Sequence, residues 1–138
     1  MPAAWLWGIS RPEYSKRADL WPVEPEGELL LLLQVETAEG VRNIHEILSV
    51  PGIGVLFVGP NDLSYSLGVP SGAPEHEAAI QKILKACQAR DVPCAITVKT
   101  ADVVRRLQQG FRVVGLGGGG LQVQMDAALR AARGQMQA

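Results

Sequence analysis

The sequence predicts an α/β domain built on parallel strands, and three observations carry that prediction. Short apolar runs at Leu29 to Glu36, Gly54 to Val58, Val92 to Val98 and Phe111 to Leu116 alternate with segments of helical period. Proline and glycine punctuate the junctions, as at Pro51-Gly52, Pro74 and Gly110. Four strands joined by helices in one direction must run parallel, because each crossover returns the chain to the same end of the sheet. Every strand then finishes on a common face, where loops converge on a shared crevice and chemistry is usually found.

Residues 1–27 read as a connecting segment. Trp5, Trp7 and Trp21 lie among the turn formers Pro12, Pro22, Pro25 and Gly27, leaving room for one short helix around Glu13 to Asp19. Residues 28–138 hold four strand-helix units. The strand Leu29 to Glu36 is followed by a helix expected over Ala38 to Leu48, with Thr37 as N-cap and Val41, Ile44 and Leu48 on one face. The strand Gly54 to Val58 ends at "GPNDLS", and a loop rich in proline and glycine is expected through Ala73. Pro74 then opens a helix whose buried stripe is Ile80, Ile83, Leu84 and Cys87. The strand Val92 to Val98 leads to a helix from Ala101 to Gln109 that Gly110 terminates. The strand Phe111 to Leu116 enters "GLGGGG", and a last helix follows over Val123 to Arg133.

The composition narrows the partners. A chain of 138 residues, 47% of them hydrophobic, is the size of one domain with a sizeable core. Its net charge is −1, and no segment concentrates lysine or arginine as a nucleic-acid or anionic-membrane surface requires. The longest apolar run, Leu29 to Leu33, is far short of the roughly 20 residues that span a bilayer, and the first residues lack the basic patch followed by an apolar stretch expected of a secretory leader. The expectation is a soluble cytoplasmic protein with Cys87 and Cys94 buried and reduced.

The stretch "LLLLLQVETAEG", Leu29 to Gly40, holds the first site candidates. Alternation places Leu30, Leu32, Gln34 and Glu36 on one side of the strand, and Leu29, Leu31, Leu33 and Val35 on the other. A continuous apolar run fits a strand covered on both faces. A carboxylate at the exit of such a strand is partly desolvated, which is costly unless a cation or hydrogen-bond donors meet it. Asp62 lies just past the end of the second strand, and neighbouring strands run about 5 Å apart, so two carboxylates face one site. Oxygen ligands without nearby cysteine or histidine suit magnesium or manganese. The plainer reading stands beside it: Glu36 capping the amides of the next helix, and Asp62 making a turn bond.

The run Leu29 to Pro70 resembles the core of the HpcH/HpaI aldolase family, which also contains citrate-lyase-like enzymes. The resemblance rests on a strand ending in Q-x-E-T, a helix closing on P-G-I, and a second strand ending in G-P-x-D-L-S with L-G downstream. It extends more weakly through "VPCAITV" and "RVVGLGG", and "YSKRADLWPVEPEGELL" resembles the lead-in of some members. It implies a TIM-barrel enzyme that makes or breaks carbon-carbon bonds beside a pyruvate-like 2-oxo acid, using a divalent metal. By the same resemblance Glu36 and Asp62 are the metal carboxylates and Gln34 is the catalytic glutamine near the 2-oxo acid. The backbone amides around Asn61 and Asp62 would hold the substrate carboxylate.

A (β/α)8 barrel typically needs about 250 residues, whereas residues 1–138 supply four strands, matching the C-terminal half. The substrate-binding arginine and the base-serving histidine expected of the first half have no counterpart, since Arg11, Arg17, His45 and His76 stand in other contexts. The chain is therefore expected to be a fragment, a truncated product, or a half barrel that associates with a copy of itself or with a missing N-terminal half. An open half barrel leaves two strand edges unpaired, which favours association. Two alternatives accompany the lyase reading: a non-catalytic remnant or interaction subunit, and a metal-free aldolase forming a Schiff base at Lys99, whose plainer role is a solvated loop residue. The "GLGGGG" turn offers amides to an anion or serves as a flexible connection. His45 and His76 are expected at surface or boundary positions.

Overall fold

A computed structural model describes residues 7–21, 23, 24, 27–117, 125–127, 129, 130, 133 and 134. Helix α1 (Arg11–Arg17) opens them, two residues earlier than expected, because Ser10 caps it by accepting from the Glu13 amide and Pro12 sits in its first turn. Trp7 packs edge-on against Tyr14 with ring centroids 5.1 Å apart, and the Arg17 guanidinium lies over its ring. Trp5 lies outside the described residues.

The leucine run is not one strand. Leu20–Trp21 (β1) and Leu29–Leu30 (β2) form a separate two-stranded parallel sheet, and Leu32–Val35 (β3) begins the main one. The break falls at Leu31, whose carbonyl accepts from the amides of both Gly54 (3.0 Å) and Val55 (3.1 Å). The expected helix over Ala38 to Leu48 is likewise two pieces, α2 (Ala38–Arg42) and α3 (Ile44–Ile47). Asn43 divides them at φ −93° and ψ 13°, in keeping with asparagine's poor fit to a helix interior.

The remaining elements are β4 (Val55–Val58), α4 (Pro60–Leu67), α5 (Pro74–Ala89), β5 (Cys94–Val98), a 3-10 turn at Thr100–Asp102, α6 (Val103–Gln109) and β6 (Val113–Leu116). Helix α4 lies where a loop was expected. Gly110 ends α6 with φ +106°, the conformation its position requires. Of the helix expected over Val123 to Arg133, the described residues 125–127, 129, 130 and 133 are helical and the others lie outside the description, as do the glycines at 118–120.

All four strands of the main sheet are parallel, in the order β3-β4-β5-β6, with Gln34 beside Phe57 and Val58 beside Ile96. The sheet and its helices are half of a (β/α)8 barrel. Leu33, Val35, Leu56, Val58, Cys94 and Ile96 face the helices and meet Ile44, Ile80, Ile83, Leu84, Cys87 and Phe111 in one core. The opposite face carries Leu32, Gln34, Val55, Phe57, Ala95 and Thr97 by alternation; Val55 and Ala95 are buried, and the face is open toward its β3 edge, where Leu32 and Gln34 are exposed.

That openness overturns the expectation of a leucine strand covered on both sides. Leu30 is 56% exposed and Leu32 46% exposed, in strands β2 and β3 that lie at sheet edges. Trp21 and Val113 are also exposed. Among the described residues no helix is long and apolar enough to cross a membrane.

Candidate functional site

Period-two alternation puts Gln34 and Glu36 on the open face at the exit of β3. The parallel register then brings Gly59 alongside, its amide donating to the Val35 carbonyl at 3.2 Å. A β-carbon on Gly59 would lie 2.7 Å from Gln34 Nε2, 2.8 Å from Glu36 Oε2 and 3.0 Å from Glu36 Cβ. What glycine provides here is close approach rather than an unusual dihedral, since its φ is −91° and a β-carbon would push aside the flexible ends of Gln34 and Glu36. The Gln34 carboxamide donates to Glu36 Oε2 and so orients the carboxylate.

Glu36 does not cap the following helix. Thr37 does, its hydroxyl accepting from the Gly40 amide at 3.0 Å. The Ala38 amide is taken by Ser66 Oγ at 2.9 Å, which ties this turn to α4.

Gly59 is also the N-cap of α4. Pro60 opens the helix without an amide hydrogen, Asn61 and Asp62 complete the first turn, and no side chain caps this end. The amides of Asn61 and Asp62 therefore lack intrahelical acceptors and favour negative charge. Asn61 and Asp62 are both exposed. Among the described residues the Asp62 carboxylate makes no hydrogen bond or ion pair, so no turn bond engages it. The structure thus brings Gln34, Glu36 and Gly59 together at the β3 exit, and the turn bearing Asn61 and Asp62 begins directly after Gly59.

His76 was expected at a boundary and is instead buried, 3% exposed. The Gly72 amide donates to its Nδ1 at 3.0 Å, and its Nε2 lies 2.7 Å from the Pro60 carbonyl. The tertiary placement of loop 68–73 and of Pro60 creates this environment. The available sequence signal was a histidine in a helix's first turn just behind a glycine turn.

Lys99 is exposed beyond β5 and lines a neighbouring cleft of about 630 Å³ with Asn61, His76, Glu77, Arg105 and Arg106. Glu36 and Asp62 do not line it. Arg106 is buried and grips Glu77 through both terminal nitrogens at 2.6 and 2.7 Å. Burial pushes the Glu77 carboxyl up, but hydrogen bonds from Arg106 and Gln81 and the charges of Arg106 and Arg105 outweigh it, holding it below the ordinary glutamate range.

Glu36, oriented by a carboxamide beside a side-chain-free position, and Asp62 carry the kind of oxygen donor that a hard divalent cation takes. Among the described residues no three acidic, histidine or cysteine side chains cluster, so any cation here would take most of its ligands from water or substrate. Gly59→Ala should weaken manganese binding at least about 10-fold by displacing Gln34 and Glu36, while costing under about 1 kcal/mol of stability. Titration of manganese beside urea unfolding checks this. Unchanged affinity in the folded variant would show that the Gly59 gap is irrelevant.

The comparisons with known proteins agree with this architecture. The family model for HpcH/HpaI aldolase/citrate lyase matches residues 9–124. A 5-keto-4-deoxy-D-glucarate aldolase from Citrobacter koseri is 33% identical over 119 residues, covering 80% of this chain and 46% of that protein. A 2-keto-3-deoxy-L-rhamnonate aldolase from Klebsiella pneumoniae is 37% identical over 84 residues, covering 59% of this chain and 32% of that protein. A solved HpcH/HpaI aldolase/citrate lyase family protein from Burkholderia cenocepacia superposes with a TM-score of 0.65 at 29% identity, covering 88% of this chain and 46% of the other. The chain spans less than half the length of these relatives. With its four-strand half barrel and matching motifs, the chain belongs to the HpcH/HpaI aldolase/citrate lyase family.

Proposed function

We propose that the chain carries the cation-and-carboxylate half of a carbon-carbon lyase site acting on small 2-oxo acids. The observation that supports it is the Gln34–Glu36 pair lying over Gly59, at the uncapped start of the helix that bears Asp62. In this reading Glu36 and Asp62 hold magnesium or manganese, and Gln34 keeps Glu36 oriented and lies beside the 2-oxo group. The amides of Asn61 and Asp62 receive the substrate carboxylate. The cation, when bound, supplies Lewis-acid stabilisation of the negative charge that develops on a pyruvate-like enolate. The relatives' names, a keto-deoxy-glucarate and a keto-deoxy-rhamnonate aldolase, point to sugar-derived 2-oxo acids as the substrate class.

The open sheet face and its exposed leucines favour association, either with a second copy or with an N-terminal half supplying the arginine and histidine this chain lacks. Free Cys87 and Cys94 suit a cytoplasmic setting. The same openness supports a second reading, a non-catalytic interaction subunit. Calorimetric titration of the chain with manganese and oxalate tests the first reading. A saturable, oxalate-dependent heat is expected, and its absence rejects the site. Metal-dependent release of pyruvate from a 4-hydroxy-2-oxo acid would reject the subunit reading.

A further inference from the structure

We propose that His76 is a positioning residue that holds the first turn of α4, and with it Asn61 and Asp62, against the β3 exit. The inference rests on the reading of that site given above.

His76 sits in the first turn of α5, a sixteen-residue helix anchored in the core through Ile80, Ile83 and Leu84. Its side chain leaves that helix to serve α4. Because the Gly72 amide donates to Nδ1, that nitrogen carries no proton, so the proton of the neutral ring is on Nε2 and is donated to the Pro60 carbonyl. One ring thereby fixes both the loop behind α4 and the residue that starts α4.

The need for such a tie follows from the helix itself. Helix α4 has eight residues and no side-chain cap at its N-terminus. A helix this short is marginal on its own and takes its position from tertiary contacts. Leu63 and Ser64 bury one side of it and Ser66 bonds the Ala38 amide near its far end. At the near end the Gly59 amide bonds the Val35 carbonyl at 3.2 Å, and the His76 bond to Pro60 adds a second tie, from α5, one residue before Asn61 and two before Asp62. His76 touches neither carboxylate site residue, so it acts through Pro60 rather than on a ligand.

Two substitutions separate its two bonds. In His76→Gln the longer amide keeps a donor for Pro60. In His76→Asn the shorter amide keeps an acceptor for Gly72 and falls short of Pro60. With manganese and oxalate as probes, His76→Asn is expected to bind at least about 10-fold more weakly than wild type and His76→Gln within about 3-fold of it. Nitrogen NMR of the wild-type ring is expected to show the Nε2–H tautomer whether or not the variants fold. Wild-type affinity in folded His76→Asn, or a ring protonated on Nδ1, would overturn the inference while leaving the carboxylate site standing. Failure of the wild type to bind overturns the site reading and this inference together.

Discussion

Glu36→Gln is expected to abolish manganese binding by the chain, and Asp62→Asn to do the same, with neither variant unfolding. Both changes preserve shape and remove one negative charge. A hard cation takes its affinity from charged oxygen donors, and a site with only two carboxylates has none in reserve. The loss should reach at least about 100-fold, beyond the 10- to 100-fold typical of residues that merely orient a ligand. Stability should barely move. In Glu36→Gln the new side-chain amide oxygen still accepts from Gln34, preserving that contact. Asp62 lies in the first turn of α4, so its neutralisation forfeits a helix-terminus interaction of about 0.3–1 kcal/mol. Calorimetric titration with oxalate present, beside urea midpoints, checks both halves of the expectation. Wild-type affinity in either variant removes that carboxylate from the site.

Legibility in the sequence followed the range of the interaction involved. The stripe Ile80, Ile83, Leu84 and Cys87 is entirely buried, because a long helix against a sheet repeats its period often enough to be seen. Gly110 ended its helix as expected because that requirement is local. The adjacency of Gln34 and Glu36 follows from strand alternation alone. Helix α4 escaped notice because Gly59, Pro60, Asn61, Asp62 and Ser64 are turn formers, and eight residues give hardly two periods. Its signals were present all the same, with proline at the first helical position and Gly68 beyond the end at φ +69°. The Gly59 contact and the burial of His76 needed register and loop folding, which no local pattern encodes. The leucine run misled for a related reason: apolar content reveals what a strand prefers to touch, and here the run is split between two sheets whose edge strands leave Leu30 and Leu32 exposed.

Arg106→Met tests what holds the rim of that half barrel together. Arg106 is 5% exposed, bonds Glu77 twice and Gln109 Oε1 at 3.0 Å, and has its guanidinium 5.7 Å from the centre of the Phe111 ring. It thereby clamps α6 to α5 next to His76. Methionine fills much of the aliphatic volume but leaves Glu77 with Gln81 and a distant Arg105 at 3.8 Å. Removing one member of a fully buried pair costs about 3–5 kcal/mol. The Glu77 side chain is 33% exposed and water recovers part of its charge, so about 2 kcal/mol is expected near neutral pH. The pH dependence has a definite sign. Glu77 has a folded-state pKa below its unfolded value, so its stabilisation is present above the usual glutamate value of about 4.3 and is lost as pH falls through the lower folded value. In the variant, burial acts on Glu77 without the Arg106 bonds, and that acid-dependent contribution should shrink. Urea midpoints for the two proteins should therefore lie well apart at pH 7 and converge below about pH 4. Coincident midpoints at pH 7 would mean that the clamp contributes nothing, and a gap that widens in acid would reverse the assigned sign.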